Sequence, residues 1–229
     1  FTDNELDGYA GQYMSKSDGS AYNRYSGPFN EDGSQADRYI DIGVYEYQYV
    51  SNFQTMPAIY VATEESGNGS GNSWANATSD LRGAIVGASN PNQNDGDRTV
   101  YVRDGEYSLP RLSAGAAYVL NMSDSELSDG LTVKGSCTGV GEEQNFSNPS
   151  VIRNHEGAEK ADVLLTVSAN QKNVRIEGFT FVNYKEGGKG IEASTDTGGS
   201  FTLANSAMRG NGGSGLTVAD NSGRMLIYN

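Results

Sequence analysis

The sequence predicts an all-β chain wound as a right-handed parallel β-helix, with a short N-terminal capping helix near residues 79–88. Three observations carry this expectation. The composition is that of short strands joined by many turns: of 229 residues, 30 are glycine and only 36% are apolar. β-Prone runs of three to five residues recur between Gly, Asn and Ser clusters, at 163–167, 174–176, 179–182, 190–193, 201–203, 215–218 and 225–228. Runs that short cannot bury a face alone, but stacked in parallel they share one core. Their spacing also repeats: Val174 to Phe201 is 27 positions, Gly190 to Gly215 is 25 and Phe201 to Met225 is 24, which suits a coil of three strands and three turns.

In chain order, the first of these elements is Asp80-Leu-Arg-Gly-Ala-Ile-Val-Gly-Ala88. It places Leu81, Ala84, Ile85 and Ala88 on one helical face, with Thr78, Ser79 or Asp80 available as N-cap. An open solenoid end exposes apolar core and unpaired strand edges, so the helix is expected to lie across it. Residues 98–107 and 131–135 follow as the first coils, the former alternating Val100 and Val102 with polar neighbours. Segments 174–191 and 201–216 then match in pattern: Ile176 with Leu203, Phe181 with Met208, Gly187-Gly188 with Gly212-Gly213, and Gly190-Ile191 with Gly215-Leu216. The difference in their lengths falls before the glycine pair, where a turn absorbs it. Asn183 and Asn211 follow corresponding strands at 179–182 and 207–210. Two structural roles fit them, a hydrogen-bonded ladder of stacked Asn side chains or simple turn formation.

The charge balance narrows the partners. With 29 Asp plus Glu against 16 Lys plus Arg, the formal charge of −13 repels phosphate backbones and anionic headgroups, which argues against nucleic acid. One cysteine, Cys137, leaves no internal disulfide framework, so stability rests on stacking and hydrogen bonds. No run approaches the ~18 apolar residues of a membrane span. No basic stretch followed by an apolar one opens the chain, so an export signal is expected to lie upstream or to have been removed.

Two stretches resemble known families. The order Ile59-Tyr-Val-Ala62, a Gly-rich segment 67–72, Ser73-Trp-Ala-Asn-Ala77, the short helix, and Thr99-Val-Tyr-Val-Arg-Asp-Gly-Glu-Tyr107 resembles the N-terminal opening of pectin-lyase-like β-helix proteins of Bacteroidetes-type bacteria. The resemblance implies that Trp74 packs under the cap and that Gly105 turns the first coil. Earlier, Ile40-Asp-Ile-Gly-Val-Tyr-Glu-Tyr-Gln48 is similar to the closing motif of choice-of-anchor β-helix domains, with Val44 replacing the usual Ala. It implies that residues 1–50 are the closing tail of an upstream β-helix unit and 51–57 a junction. Residues 58–229 would then be the cap and first coils of a second unit, truncated within a longer surface protein.

Catalytic signatures are sparse. Polysaccharide-cleaving β-helix enzymes need clustered carboxylates, or a basic residue beside calcium. The chain has no Asp-Asp pair, no Gly-His-Gly and no Arg-x-Pro. Its single histidine, His155, sits beside Arg153 and reads as a solvated turn residue, as do Glu142, Glu143, Glu156 and Glu159. Cys137 follows a strand and is expected to be buried. The acidic turn 90–97, with Asp95 and Asp97, makes calcium the one cofactor to consider, but it lacks the glycine and glutamate that complete a calcium loop. Fourteen tyrosines, eight of them within the first fifty positions, offer sugar-stacking or packing surfaces, with Tyr22, Tyr25 and Tyr184 as candidate ligand contacts.

The expectation is therefore an extracellular or cell-surface module for adhesion or glycan binding, with a polysaccharide or a cell-surface protein as partner and without catalysis. A polysaccharide lyase or glycoside hydrolase with active coils elsewhere, and a structural spacer, are the alternatives. A groove lined by Arg, Lys and carboxylates would favour the enzyme, and one lined by Asn, Thr and Tyr the binding module.

Overall fold

The computed structural model describes residues 56–89, 98–110, 116–122, 130–156, 160–169, 173–221 and 223–229. All of them fall in the second of two units into which the chain divides, Val50–Asn229. The expected closing tail at 1–50, most of the junction, and the candidate residues Tyr22, Tyr25, Asp95 and Asp97 lie outside the described residues.

The described chain is almost entirely β. Its strands are β1 (Ala58–Val61), β2 (Thr99–Arg103), β3 (Gly105–Leu109), β4 (Tyr118–Met122), β5 (Leu131–Cys137), β6 (Ser150–Asn154) and β7 (Val163–Ala169). They continue as β8 (Asn173–Glu177), β9 (Phe179–Val182), β10 (Lys189–Thr195), β11 (Ser200–Ala204), β12 (Ala207–Met208), β13 (Leu216–Asn221) and β14 (Arg224–Tyr228). They form three sheets, ordered β1-β2-β5-β8-β11-β14, β12-β9-β6-β3 and β13-β10-β7-β4. Every strand pairing within them is parallel. From β2 onward the chain visits the first, second and third sheet in turn and then returns to the first, one strand further along.

This order follows from the side-chain alternation. A strand sends successive side chains to opposite faces, and parallel pairing sets each beside its equivalent one circuit later. In the first sheet Ile59, Val100, Val133, Ile176, Leu203 and Ile227 form one inward column. Tyr107, Ile152, Phe181 and Met208 do so in the second, and Leu120, Leu165, Ile191 and Leu216 in the third. Full burial of each enclosed apolar side chain contributes roughly 1.5–3 kcal/mol, so strands of two to seven residues hold only as a stack, and Ile227 at the end of its column remains exposed. The apolar pairs read from sequence spacing are present, Ile176 with Leu203, Phe181 with Met208, and Ile191 with Leu216, whereas the glycine pairs are offset by one residue, Gly212 bridging Glu186 and not Gly187.

The expected helix is α1 (Leu81–Ser89). The Asp80 Oδ1 atom accepts a hydrogen bond from the Gly83 N–H at 2.8 Å, which caps the first turn. Its Leu81, Ala84, Ile85 and Ala88 are buried, packed toward β1, β2, β4 and β5. Arg98 is buried beside it and donates from Nη1 to the Gly87 carbonyl at 3.1 Å, where the negative end of the helix dipole favours a cation. Burial itself lowers the pKa of Arg98. No described helix is long and apolar enough to cross a membrane.

Residues 98–107 divide into β2 and β3 in different sheets. Gly105 at their junction has φ +134°, and a Cβ there would come within 2.7 Å of the Thr63 Cγ2 atom. His155, read as a solvated turn residue, is exposed just after strand β6, which ends at Asn154.

At the corner between the second and third sheets, Asn154, Asn183 and Asn211 form a connected column. The Asn154 Nδ2 atom donates to the Asn183 Oδ1 at 2.8 Å, and the Asn183 N–H donates to the Asn211 Oδ1 at 2.8 Å. The Asn183 amide also donates to the Lys189 carbonyl at 2.9 Å and is fully buried. Both roles open in the sequence are present, because the Asn183 Oδ1 that serves the column also accepts from the Lys185 N–H at 3.2 Å and so forms the turn. Replacing Asn183 with Ala keeps the backbone bond to Asn211 but would strand the buried Asn154 amide on the preceding circuit and the Lys189 carbonyl on its own, and is expected to cost about 2–4 kcal/mol. Urea unfolding checks this, and a loss below about 0.5 kcal/mol would show that the ladder is dispensable.

Candidate functional site

The same alternation that turns Val133, Ile176 and Leu203 inward turns their neighbours outward on the six-stranded sheet. Thr132, Arg175 and Thr202 stand in one outward row, and Lys134, Glu177, Ala204 and Tyr228 in the next. Over β5, β8 and β11 lies an open groove of about 260 Å³ lined by Gly130, Leu131, Thr132, Asn173, Val174, Arg175, Ser200 and Thr202. It crosses three successive circuits.

Its polar groups are held in place from below and from the side. The Arg175 Nε and Nη2 atoms donate to the Glu177 Oε2 at 3.0 and 2.8 Å, while Nη1 donates to the Tyr228 hydroxyl at 2.6 Å. Glu177 is buried, and its other oxygen accepts from the Asn205 Nδ2 at 2.8 Å. The Tyr228 hydrogen bond, and then the Glu177 carboxylate, hold the Arg175 guanidinium above its ordinary pKa against the opposing effect of burial. A guanidinium has five N–H donors, so two remain for a ligand. On β11 between them stand Thr202, in register with Arg175, and the small Ala204, in register with Tyr228, and the half-exposed Tyr228 ring lies with its centre 5.7 Å from the Arg175 Cζ. Along the groove, the Ser200 hydroxyl donates to the Asn173 Oδ1 at 2.5 Å.

Toward β1 the outward face becomes aromatic. The Lys134 ammonium lies 5.4 Å from the centre of the Tyr101 ring, Tyr101 stacks on Tyr60 at 5.3 Å, and Trp74 meets Tyr60 edge-on at 5.0 Å. Trp74 belongs to a short 3-10 turn and donates from Nε1 to the Gly141 carbonyl at 2.7 Å. Tyr101 is buried, and that burial, with the Glu142 carboxylate on its hydroxyl, pushes its pKa far above the ordinary range. Its ring is committed to packing and does not offer a free stacking face.

The structure distributes the sequence candidates widely. Trp74 packs on the outward aromatic row, Gly105 sits at the β2–β3 junction, and Asn183 and Asn211 belong to the corner ladder. Tyr184 is exposed in the turn after β9, against Gly210, and does not line the groove. His155 is exposed, with Nδ1 3.3 Å from the Ser108 hydroxyl, while Arg153 is held between Glu106 and Glu156. A serine–imidazole nucleophile needs a third group that orients the ring, and no described residue is placed to do so. No group of three or more His, Cys, Asp or Glu that could hold a metal converges among the described residues.

Arg175, Thr132, Asn173, Ser200, Thr202 and Tyr228 escaped sequence reasoning. Their signal was present in the repeat spacing, because Arg175 and Thr202 are 27 positions apart and flank the paired Ile176 and Leu203. No family model matches the chain, and no curated protein or solved structure matches it either.

Cys137 ends β5 beneath this face and is wholly buried. Desolvation pushes its thiol from the ordinary 9.0 up to about 11. The fold accepts only the neutral form, so its contribution is complete below the unfolded value and is lost as pH rises toward about 11. Wild-type stability is expected to fall by roughly 2–3 kcal/mol more than that of a Cys137→Ala variant over this interval. Urea midpoints of the two proteins that run parallel with pH would refute the assignment.

Proposed function

We propose that residues 58–229 form a right-handed parallel β-helix and act as a non-catalytic module that binds a polysaccharide on the outward face of its six-stranded sheet. The β-helix reading is supported by three parallel sheets visited in constant order. The function rests on one observation, the groove that crosses three circuits and presents Thr132, Asn173, Arg175, Ser200 and Thr202. Parallel strands lie about 4.7–4.9 Å apart, so an extended polymer lying across them meets a hydroxyl, amide or guanidinium at each step. The half-exposed Tyr228 ring beside the groove supplies a flat apolar surface for a sugar face. Groups of this kind bind and orient hydroxyl-rich ligands without activating them. Display at a bacterial surface, within a longer polypeptide, is the part of this reading that rests on the choice-of-anchor resemblance.

Isothermal titration against a panel of polysaccharides tests the proposal. Binding without turnover is expected, and Arg175→Ala is expected to weaken it about tenfold or more, since two donors to the ligand are lost. New reducing ends or unsaturated uronides during incubation would overturn the non-catalytic reading and favour the lyase or hydrolase. Binding that survives Arg175→Ala unchanged would move the site away from this groove.

A further inference from the structure

Resting on that reading, we infer that the groove selects a neutral polysaccharide over a polyuronate. A polyuronate brings one carboxylate per sugar, so a surface that tracks it across successive circuits needs a free cation at each step or a bridging metal. This groove has neither among the described residues. In the row Thr132–Arg175–Thr202, only the central position is charged. That charge is already matched, because Glu177 takes two of the Arg175 donors through a single carboxylate oxygen. Glu177 is itself buried in the same strand, so an incoming carboxylate at Arg175 would meet a fixed negative charge two residues away. Lys134 lies in the neighbouring row against the Tyr101 ring, with the Glu142 carboxylate on that tyrosine's hydroxyl.

The remaining lining groups are hydroxyls and an amide, which donate and accept equally well and therefore suit sugar hydroxyls. The whole chain carries a formal −13, so a polyanion approaching this face is repelled at long range as well. A neutral chain avoids both penalties. Its hydroxyls can accept from the two free Arg175 donors without displacing Glu177, and one of its sugar faces can rest on Tyr228. The charge on Arg175 then serves to polarise hydrogen bonds and leaves the groove electrically balanced.

Affinity electrophoresis tests the inference with glucan, mannan and xylan as neutral probes and polygalacturonate and alginate as acidic ones, each at low and high salt. The expected result is retardation by at least one neutral polysaccharide, insensitive to salt, and polyuronate binding weaker by about tenfold or more. Thr202→Lys, an outward and half-buried position, adds a second cation to the row and is expected to create polyuronate retardation that disappears in high salt. Glu177→Gln should do the same by freeing Arg175, and Thr202→Lys keeps the test open where loss of the buried carboxylate disturbs folding. Wild-type preference for a polyuronate, lost at high salt, would overturn the inference while leaving glycan binding intact. Failure to bind any of the five polysaccharides would overturn both.

Discussion

Register in the parallel ladders is the constraint on which the described unit depends. Each strand lies directly on its equivalent from the previous circuit, so every column must keep one chemical character along the stack. The inward column from Ile59 to Ile227 is aliphatic throughout, the corner column is Asn154, Asn183 and Asn211, and the outward row over β5, β8 and β11 is polar. A one-residue slip within a strand would exchange the inward and outward sets. Length variation consequently falls mostly in the connections, with one-residue shifts inside the β2–β5 and β10–β13 ladders. Val100 pairs with Val133, 33 positions on, and Leu131 with Val174, 43 positions on, whereas Val174 and Phe201 are separated by 27.

Register also explains how a binding face arises without any special loop. The groove is the outward side of three strands whose inward sides build the core, so its side chains inherit the rigidity of the ladder. Arg175 illustrates the coupling. Its guanidinium is held by Glu177 on its own strand and by Tyr228 two strands away, across a β11 that carries Thr202 and Ala204 on this face. Asn205, which adopts φ +46° at the end of the same strand, closes the network on Glu177. A charged side chain thus becomes a positioned hydrogen-bond donor whose network draws on three different circuits.

The aromatic residues divide by function along the same sheet. Tyr60, Tyr101 and Trp74 join strand β1, strand β2 and the 3-10 turn into one packed group, and the Gly141 carbonyl and Glu142 carboxylate tie a distant turn to it. Tyr228, at the opposite side of the groove, keeps about half of its surface exposed. Tyrosine content alone could not separate these cases, because the difference lies in what covers each ring. The Lys134 ammonium over Tyr101 marks the border between the packed group and the polar groove.

Much of the architecture was legible in the residues themselves: the apolar period, the short helix with Asp80 at its start, the glycine at 105, and the correspondence of Asn183 with Asn211. The period was readable where the connections are short, between 174 and 228, and hidden where the circuits lengthen, from Val100 to Val133 around β4 and from Leu131 to Val174 around β6. The groove was not legible, because its residues are ordinary Thr, Ser, Asn and Arg that acquire a shared purpose only when β5, β8 and β11 lie side by side. The sequence by itself determined which residues face inward and that the strands must stack, since short apolar runs have no other way to leave water. Only the tertiary structure decided which outward residues meet, because that depends on register between segments tens of positions apart and on a turn that reaches back over the sheet.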